Sequence, residues 1–221
     1  MSARDRILAR LRAAEPGAPV AVPDVAGYYA RRSRLTATEL LSQLCARLRA
    51  SRADVKVAAP DAWASVAAEA LQQRGVRRLA LGSCARAVTL AAALPDTIET
   101  VRFDGAIEGW KRALFETVDA GFTPASAGIA ATGALLLNHG GALPRTLSLV
   151  PPVSLVCVDV HDLYDDLHHA ASVQRWADDM PTNRVLVSSP SRTADIQQTL
   201  AYGAHGPREL IVVVIADGET A

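Results

Sequence analysis

The sequence predicts an α/β fold: a mainly parallel sheet flanked by helices, preceded by an N-terminal helical arm. Three observations carry this expectation. Several segments place apolar residues at helical spacing, short apolar runs lie between those segments, and the two types alternate over most of the 221 residues. With 50% of residues hydrophobic, the chain is long enough and apolar enough for one sizeable core.

The elements follow in order. Residues 2–14 read as a helix with Ile7, Leu8 and Leu11 on one face, and EPGAPVAVPD breaks it into an extended linker. Residues 1–24 therefore form an arm suited to docking or, given its arginines, to lying at an interface, and residues 25–221 form the α/β domain. From Thr38 to Ala50 a helix sets Leu40, Leu41, Leu44 and Leu48 on one side. ADVKVAA is a short strand, and DAWASVAAEALQQRG is a helix stopped by Gly75. RRLALG, ARAVTLAAAL, TVRFDG and IEGWKRALFETV continue as strand, helix, strand and helix. After Ala125 the apolar runs AGIAATGALLL, LSLVPP and VSLVCVD are too closely spaced for helices between them, which predicts hairpin or crossed strands. A helix from His161 to Trp176, the strand NRVLV, a helix over ADIQQTLAY ending at Gly203, and the strand LIVVVI complete the order.

Lys plus Arg and Asp plus Glu are 23 each, so the formal net charge is zero. No basic run is interleaved with aromatics, which argues against nucleic acid and anionic membrane surfaces as partners. No stretch approaches the roughly 20 apolar residues of a membrane span, and the first residues lack an apolar leader core, so a cytoplasmic location is expected. H-E-x-x-H, P-loop, G-x-S-x-G and G-x-G-x-x-G patterns are absent. Cys45, Cys84 and Cys157 stand singly, so the chain does not carry the ligand set of an iron–sulfur cluster. Cys45 and Cys157 read as core residues. Cys84 sits at a strand-to-helix turn that could stabilise a thiolate or pack it as a small hydrophobe.

The densest chemistry lies in SSPSRTADIQQTLAYGAHGPREL, residues 188–210. Ser189, Ser191, Arg192 and Thr193 fall at a turn from a strand into the expected helix, whose free N–H groups would join the hydroxyls and guanidinium around a carboxylate or phosphate. Capping of the helix by Ser and Thr alone is the plainer reading. His205 and Arg208 form a second cluster, expected a helix length away from Arg192 at the opposite sheet edge. Thr132 and Gly133 interrupt an apolar strand, where glycine allows either a ligand's close approach or a bulge. His161, Asp165 and His168 would share one face of the expected helix. Imidazole and carboxylate suit zinc or iron, but three ligands on one helix rarely close a site, so no metal is assigned.

S-P-S-R-T-A-D-I and G-x-H-G-P-R-E-L, with the earlier A-T-G-x-L-L-L and R-x-L-S-L-x-P-P, resemble the lactate-utilisation protein C (LutC/YkgG) family of LUD domains. The resemblance spans essentially the whole chain. It implies a domain similar to the NagB/RpiA/CoA-transferase-like fold and a role, with two iron–sulfur partner proteins, in oxidising L-lactate to pyruvate. The clusters would then belong to the partners, and a small carboxylate would be the ligand of this chain. Two positions depart from the family pattern: Ala131 replaces the usual acidic residue, and Gln197 replaces a common Glu. A methyl group at 131 cannot act as nucleophile, acid or base, which weakens a CoA-transferase-type reaction. Two alternatives remain beside the lactate role: an autonomous enzyme acting on a phosphorylated or acyl thioester substrate, and a scaffold without a ligand.

Overall fold

The computed structural model describes residues 2–14, 21–32, 34–103, 107–194, 200–203 and 205–217. The chain divides into two compact units, Met1–Ser33 and Arg34–Ala221. The first contains helices α1 (Ala3–Ala13) and α2 (Val25–Ala30). The Ser2 hydroxyl accepts from the Asp5 N–H while the Asp5 carboxylate accepts from the Ser2 N–H, a reciprocal cap that starts α1. Asp24 caps α2 through the Gly27 N–H.

The second unit opens with α3 (Ala37–Ala50), started by the same reciprocal cap between Thr36 and Glu39. There follow β1 (Asp54–Ala58), α4 (Trp63–Gln73), β2 (Arg78–Leu81), α5 (Ala85–Ala93), β3 (Glu99–Arg102), α6 (Lys111–Glu116) and β4 (Ala120–Pro124). The remainder comprises β5 (Ala127–Ile129), β6 (Ala134–His139), α7 (Thr146–Leu149), β7 (Val153–Asp159), β8 (Leu163–Tyr164) and α8 (Leu167–Val173), then β9 (Asn183–Val187), β10 (Arg192–Ala194), β11 (Leu200–Tyr202) and β12 (Glu209–Ile215).

Six of these strands form a sheet in the order β1-β12-β7-β4-β2-β3, every pair parallel. The mainly parallel α/β architecture read from the sequence is therefore present. β7 and β12 are near-continuous apolar runs because both faces of the sheet are covered. On one face Phe122, Leu155, Ile211 and Val213 pack with Leu71 of α4 and Leu90 of α5. On the other, Val156, Val158, Val212 and Val214 pack with Leu44 and Leu48 of α3 and with Leu135 and Leu137 of β6. Each such side chain, fully withdrawn from water, contributes roughly 1.5–3 kcal/mol. A second sheet, β8-β5-β6-β9, thus lies over the main one. Its far side carries Ala127, Ile129, Ala134 and Leu136 against Ala170 of α8.

Four expectations change. The helix over 161–176 is instead a tight turn at Val160–Asp162, then β8, then α8. Gly128 and Ile129 offer parallel pairing to Leu163 and Tyr164, and that tertiary partner outweighs helical periodicity. The helix over ADIQQTLAY is replaced by an antiparallel pair, with Arg192 opposite Tyr202 and Ala194 opposite Leu200. Residues 195–199, including Gln197, lie outside the described residues. LSLVPP contains the helical turn α7, bracketed by Pro144 and by Pro151 and Pro152. VSLVCVD is a central parallel strand rather than part of a crossed hairpin; the hairpin expected within AGIAATGALLL does form, as β5 and β6.

Candidate functional site

β9 ends at Val187, and residues 188–192 cross the amino-terminal ends of β7 and β12 to reach β10. Ser191 anchors this crossing through its backbone. Its N–H donates to the Pro207 carbonyl at 2.8 Å, and its carbonyl accepts from the Gly203 N–H at 3.1 Å. The segment is thereby held against residues 205–207, and a cavity of about 310 Å³ lies between them and the sheet edge. Its volume is at the small end of the range for small-molecule sites.

Arg192 and His205 stand exposed at the mouth, and Ser189 and Ser191 are half-buried in the wall. Ser148 of α7 and Ser154 of β7, each 2% exposed, form the floor. Leu149, Val187, Pro190 and Leu210 supply apolar wall. No Asp or Glu lines the cavity among the described residues, and Arg192 pairs with no carboxylate among them. The arrangement offers a cation and hydroxyls to a small anion and no competing negative charge.

The hairpin alters what the sequence suggested about this region. Among the described residues no helix N-terminus points at the turn, so side chains rather than helix amides would do the binding. His205 is not a helix length from Arg192 but lines the same cavity, since Gly206 packs with its Cβ position 3.2 Å from the Ser191 Cβ. Arg208 does sit apart from Arg192, beside a hollow of about 230 Å³ also bordered by Arg52, Asp54, Arg74 and Glu209. Arg74 there bonds Asp54 at 2.8 Å and Glu209 at 2.7 Å. The Thr193 backbone belongs to β10, and its side chain lies outside the described residues.

Thr132 and Gly133 do not line the cavity. They close the turn between β5 and β6, where the Gly133 N–H donates to the Ile129 carbonyl at 2.9 Å. Gly133 has φ of 69°, and a Cβ there would stand 2.7 Å from the Arg47 Cβ of α3. The close approach that needs glycine is thus made by a helix, and the expected bulge is a hairpin turn. Ala131 occupies the same turn and donates its N–H to the Asp165 carbonyl at 2.9 Å.

Sequence reasoning missed the floor. His139, 5% exposed, places Nδ1 3.2 Å from the Leu143 carbonyl and Nε2 3.4 Å from Ser148 Oγ, which also donates to the Arg145 carbonyl at 3.0 Å. Burial pushes the imidazole below its ordinary pKa; the Leu143 carbonyl opposes this, and the Arg145 charge adds to it. The prolines bracketing RTLSLV were the available signal for a helical turn that sets Arg145 and Ser148 three residues apart on one side.

The other sequence candidates are dispersed. His161 lies in the turn after β7, 3.9 Å from Asp217, while Asp165 pairs with Arg34 at 3.2 Å and with His169 at 2.7 Å. Among the described residues no group of three or more His, Cys, Asp or Glu is placed to hold a metal. Cys45 and Cys157 are packed on opposite faces of the main sheet, and burial pushes the Cys157 thiol up to about 12. These cysteines do not fit an iron–sulfur cluster. Cys84 stands at the N-cap position of α5 without a side-chain capping hydrogen bond and is partly buried against the Trp63 side of the core. No helix among the described residues is long and apolar enough to cross a membrane.

Comparisons with known proteins place this architecture. Residues 41–215 match the family model of the LUD domain. An uncharacterized protein of Neisseria meningitidis serogroup B is 40% identical over 220 residues, covering 97% of this chain and 94% of that one. Lactate utilization protein C of Halalkalibacterium halodurans is 32% identical over 110 residues, and the alignment spans 46% of this chain and 46% of that protein. The crystal structure of a DUF162 family protein from Deinococcus radiodurans superposes with a TM-score of 0.63 at 21% identity, over 82% of this chain and 99% of that one, which shows the shared fold. Because the family model spans most of the second unit and the Neisseria relative aligns along nearly its whole length, the chain belongs to the LUD domain family.

Proposed function

We propose that this chain takes part in lactate utilisation, as a subunit of a system that oxidises L-lactate to pyruvate, and that the cavity at the amino edge of the sheet holds the small carboxylate. The observation that carries the site is Arg192, exposed at the mouth of a cavity of about 310 Å³ with no acidic side chain among its described lining residues. Guanidinium meets carboxylate with a planar pair of donors, and His205 beside it adds a ring N–H. The role itself is supported by the relatives named lactate utilization protein C. Oxidation of lactate removes an electron pair and two protons. The electrons would pass to iron–sulfur clusters in two partner proteins, in keeping with cysteines in this chain that do not fit a cluster.

Calorimetric titration of the isolated chain with L-lactate and pyruvate tests the site. Arg192→Ala is expected to weaken binding about ten-fold or more, since a charge-assisted hydrogen bond contributes roughly 1.5–3 kcal/mol, with the unfolding temperature unchanged. Lactate-dependent dye reduction by the chain mixed with its cluster-bearing partners should fall in parallel. Unaltered binding and activity in the variant, or tighter binding of inorganic phosphate or an acyl thioester than of either acid, would overturn the proposal.

A further inference from the structure

Arg208 stands outside the carboxylate cavity and borders a separate hollow of about 230 Å³, which shares only Pro190 and Leu210 with it. Three arginines and two carboxylates line this hollow: Arg52, Arg74 and Arg208 against Asp54 and Glu209. Arg74 commits every nitrogen of its guanidinium. Nε donates to Glu209 at 2.7 Å, Nη1 to the Ala70 carbonyl at 2.9 Å and Nη2 to Asp54 at 2.8 Å. Asp54 also lies 3.2 Å from Lys56 Nζ. Both carboxylates of the hollow are thus neutralised by neighbours, and no other carboxylate lines it among the described residues to offset Arg52 and Arg208. Surplus positive charge on a concave surface draws an anion.

The backbone sets both arginines in place. The Arg208 N–H donates to the Pro152 carbonyl at 2.7 Å, and its stem lies on Gly203, where a Cβ would stand 3.1 Å from Arg208 Nε and 3.2 Å from Cδ. The missing side chain at 203 is what gives Arg208 this seat. Arg52 follows the last turn of α3 with φ of 68°, its N–H donating to the Arg49 carbonyl at 2.9 Å. That left-handed conformation favours glycine, so a cation stands at the hollow against the preference of the backbone.

We propose that this hollow is a second anion site, which takes a phosphate group, with Arg208 and Arg52 as the binding cations and Arg74 as the residue that fixes Asp54 and Glu209 away from the ligand. One guanidinium already matches the two oxygens of a carboxylate. Two guanidinium groups from different elements offer more donors than that, and phosphate brings more oxygens and up to two charges. Both arginines are exposed, so water and salt screen them, and binding is expected in the millimolar range and to weaken as salt rises. The inference is independent of the carboxylate reading, because it needs neither Arg192 nor the cavity at whose mouth Arg192 stands.

The test is calorimetric titration of the whole chain with inorganic phosphate, with and without saturating L-lactate, at constant ionic strength. Wild-type protein is expected to bind phosphate in both conditions. Arg208→Gln keeps the stem over Gly203 but removes the charge, and should weaken phosphate about five-fold. Arg52→Gly should weaken it comparably without lowering the unfolding temperature, since glycine suits that backbone; a merely structural Arg52 would leave phosphate binding unmoved. Arg192→Ala should leave phosphate binding unchanged. Methyl phosphate, titrated in parallel, separates the sources: affinity equal to or above that of the free ion supports the phosphate ester of a larger ligand, and weaker affinity supports the free ion. Absence of phosphate binding by the wild type, or unchanged binding in both Arg208→Gln and Arg52→Gly, would overturn the second site. So would phosphate that L-lactate displaces and that Arg192→Ala no longer binds, because that ion sits in the carboxylate cavity. Failure of L-lactate to bind while phosphate binding still depends on Arg208 would overturn the carboxylate reading alone.

Discussion

Asp165 holds several groups together outside the cavity. Its carboxylate accepts from the Leu35 N–H at 2.7 Å and from Arg34 at 3.2 Å, and lies 2.7 Å from His169 Nδ1. It thereby fixes the start of α3 to the segment between β8 and α8. Burial alone would raise its pKa, but the hydrogen bonds from Leu35, Arg34 and His169 outweigh burial and hold it below the ordinary carboxylate value. A carboxyl with a depressed folded value contributes stability that is complete above its unfolded value and is lost as pH falls through the folded one. Asp165→Asn is therefore expected to cost about 1–3 kcal/mol near neutral pH, with the gap from wild type closing in acid. Urea unfolding of both proteins at neutral and acid pH measures this; a gap that stays constant with pH would show that charge is not the cause. At the same scale Cys157, whose thiol is pushed up to about 12 by burial, is set to remain unreactive toward thiol reagents in the folded protein.

Two short elements shape the site. α7 has only the residues Thr146–Leu149, too few to be stable alone, and is held by prolines at either end and by Leu147, which is fully buried. It carries Ser148 to the floor. The β10–β11 pair brings the chain back so that residues 205–207 face Ser191, and Gly203 ends this return with φ of 76°. A Cβ on Gly203 would collide with Arg208 Cγ, so substitution meets both backbone strain and a displaced side chain. Gly203→Ala is expected to cost about 1–2 kcal/mol and to weaken carboxylate binding by loosening the Ser191 anchor. Thermal unfolding and lactate titration of the variant test this together. Lost stability with intact binding would show that the cavity does not depend on the return of the hairpin.

At the level of the whole second unit, the cavity draws rigidity from the packing of two sheets. Leu44 of α3 is fully buried among Val and Leu side chains of both sheets, and a Cβ on Gly128 of β5 would fall 2.9 Å from its Cδ2. Such packing leaves no room to relax around a deleted side chain. Leu44→Ala should cost about 2–5 kcal/mol, which lowers the unfolding temperature by roughly 2–4 °C per kcal/mol in a domain of this size. Differential scanning calorimetry reads the loss; a shift of under a degree would mean that the sheets pack less tightly than their burial indicates.

Composition and periodicity by themselves determined the α/β class, because short, β-branched apolar runs such as LIVVVI suit a strand covered on both faces, and because α3, α4 and α5 carry strong helical spacing over several turns. They also marked Ser189, Ser191, Arg192 and His205 as chemically dense. Tertiary structure decided the rest. Leu163 and Tyr164 became a strand since β5 supplied a partner, and Arg192 and Tyr202 paired across a hairpin although the sequence between them has helical periodicity. Strand pairing is a contact between segments distant in sequence, and local propensity does not record it. The same reason hid the floor: Ser148 and Ser154 stand on α7 and β7, far apart in sequence from Arg192, and only tertiary packing gathers the three around one cavity, with His139 of β6 against Ser148.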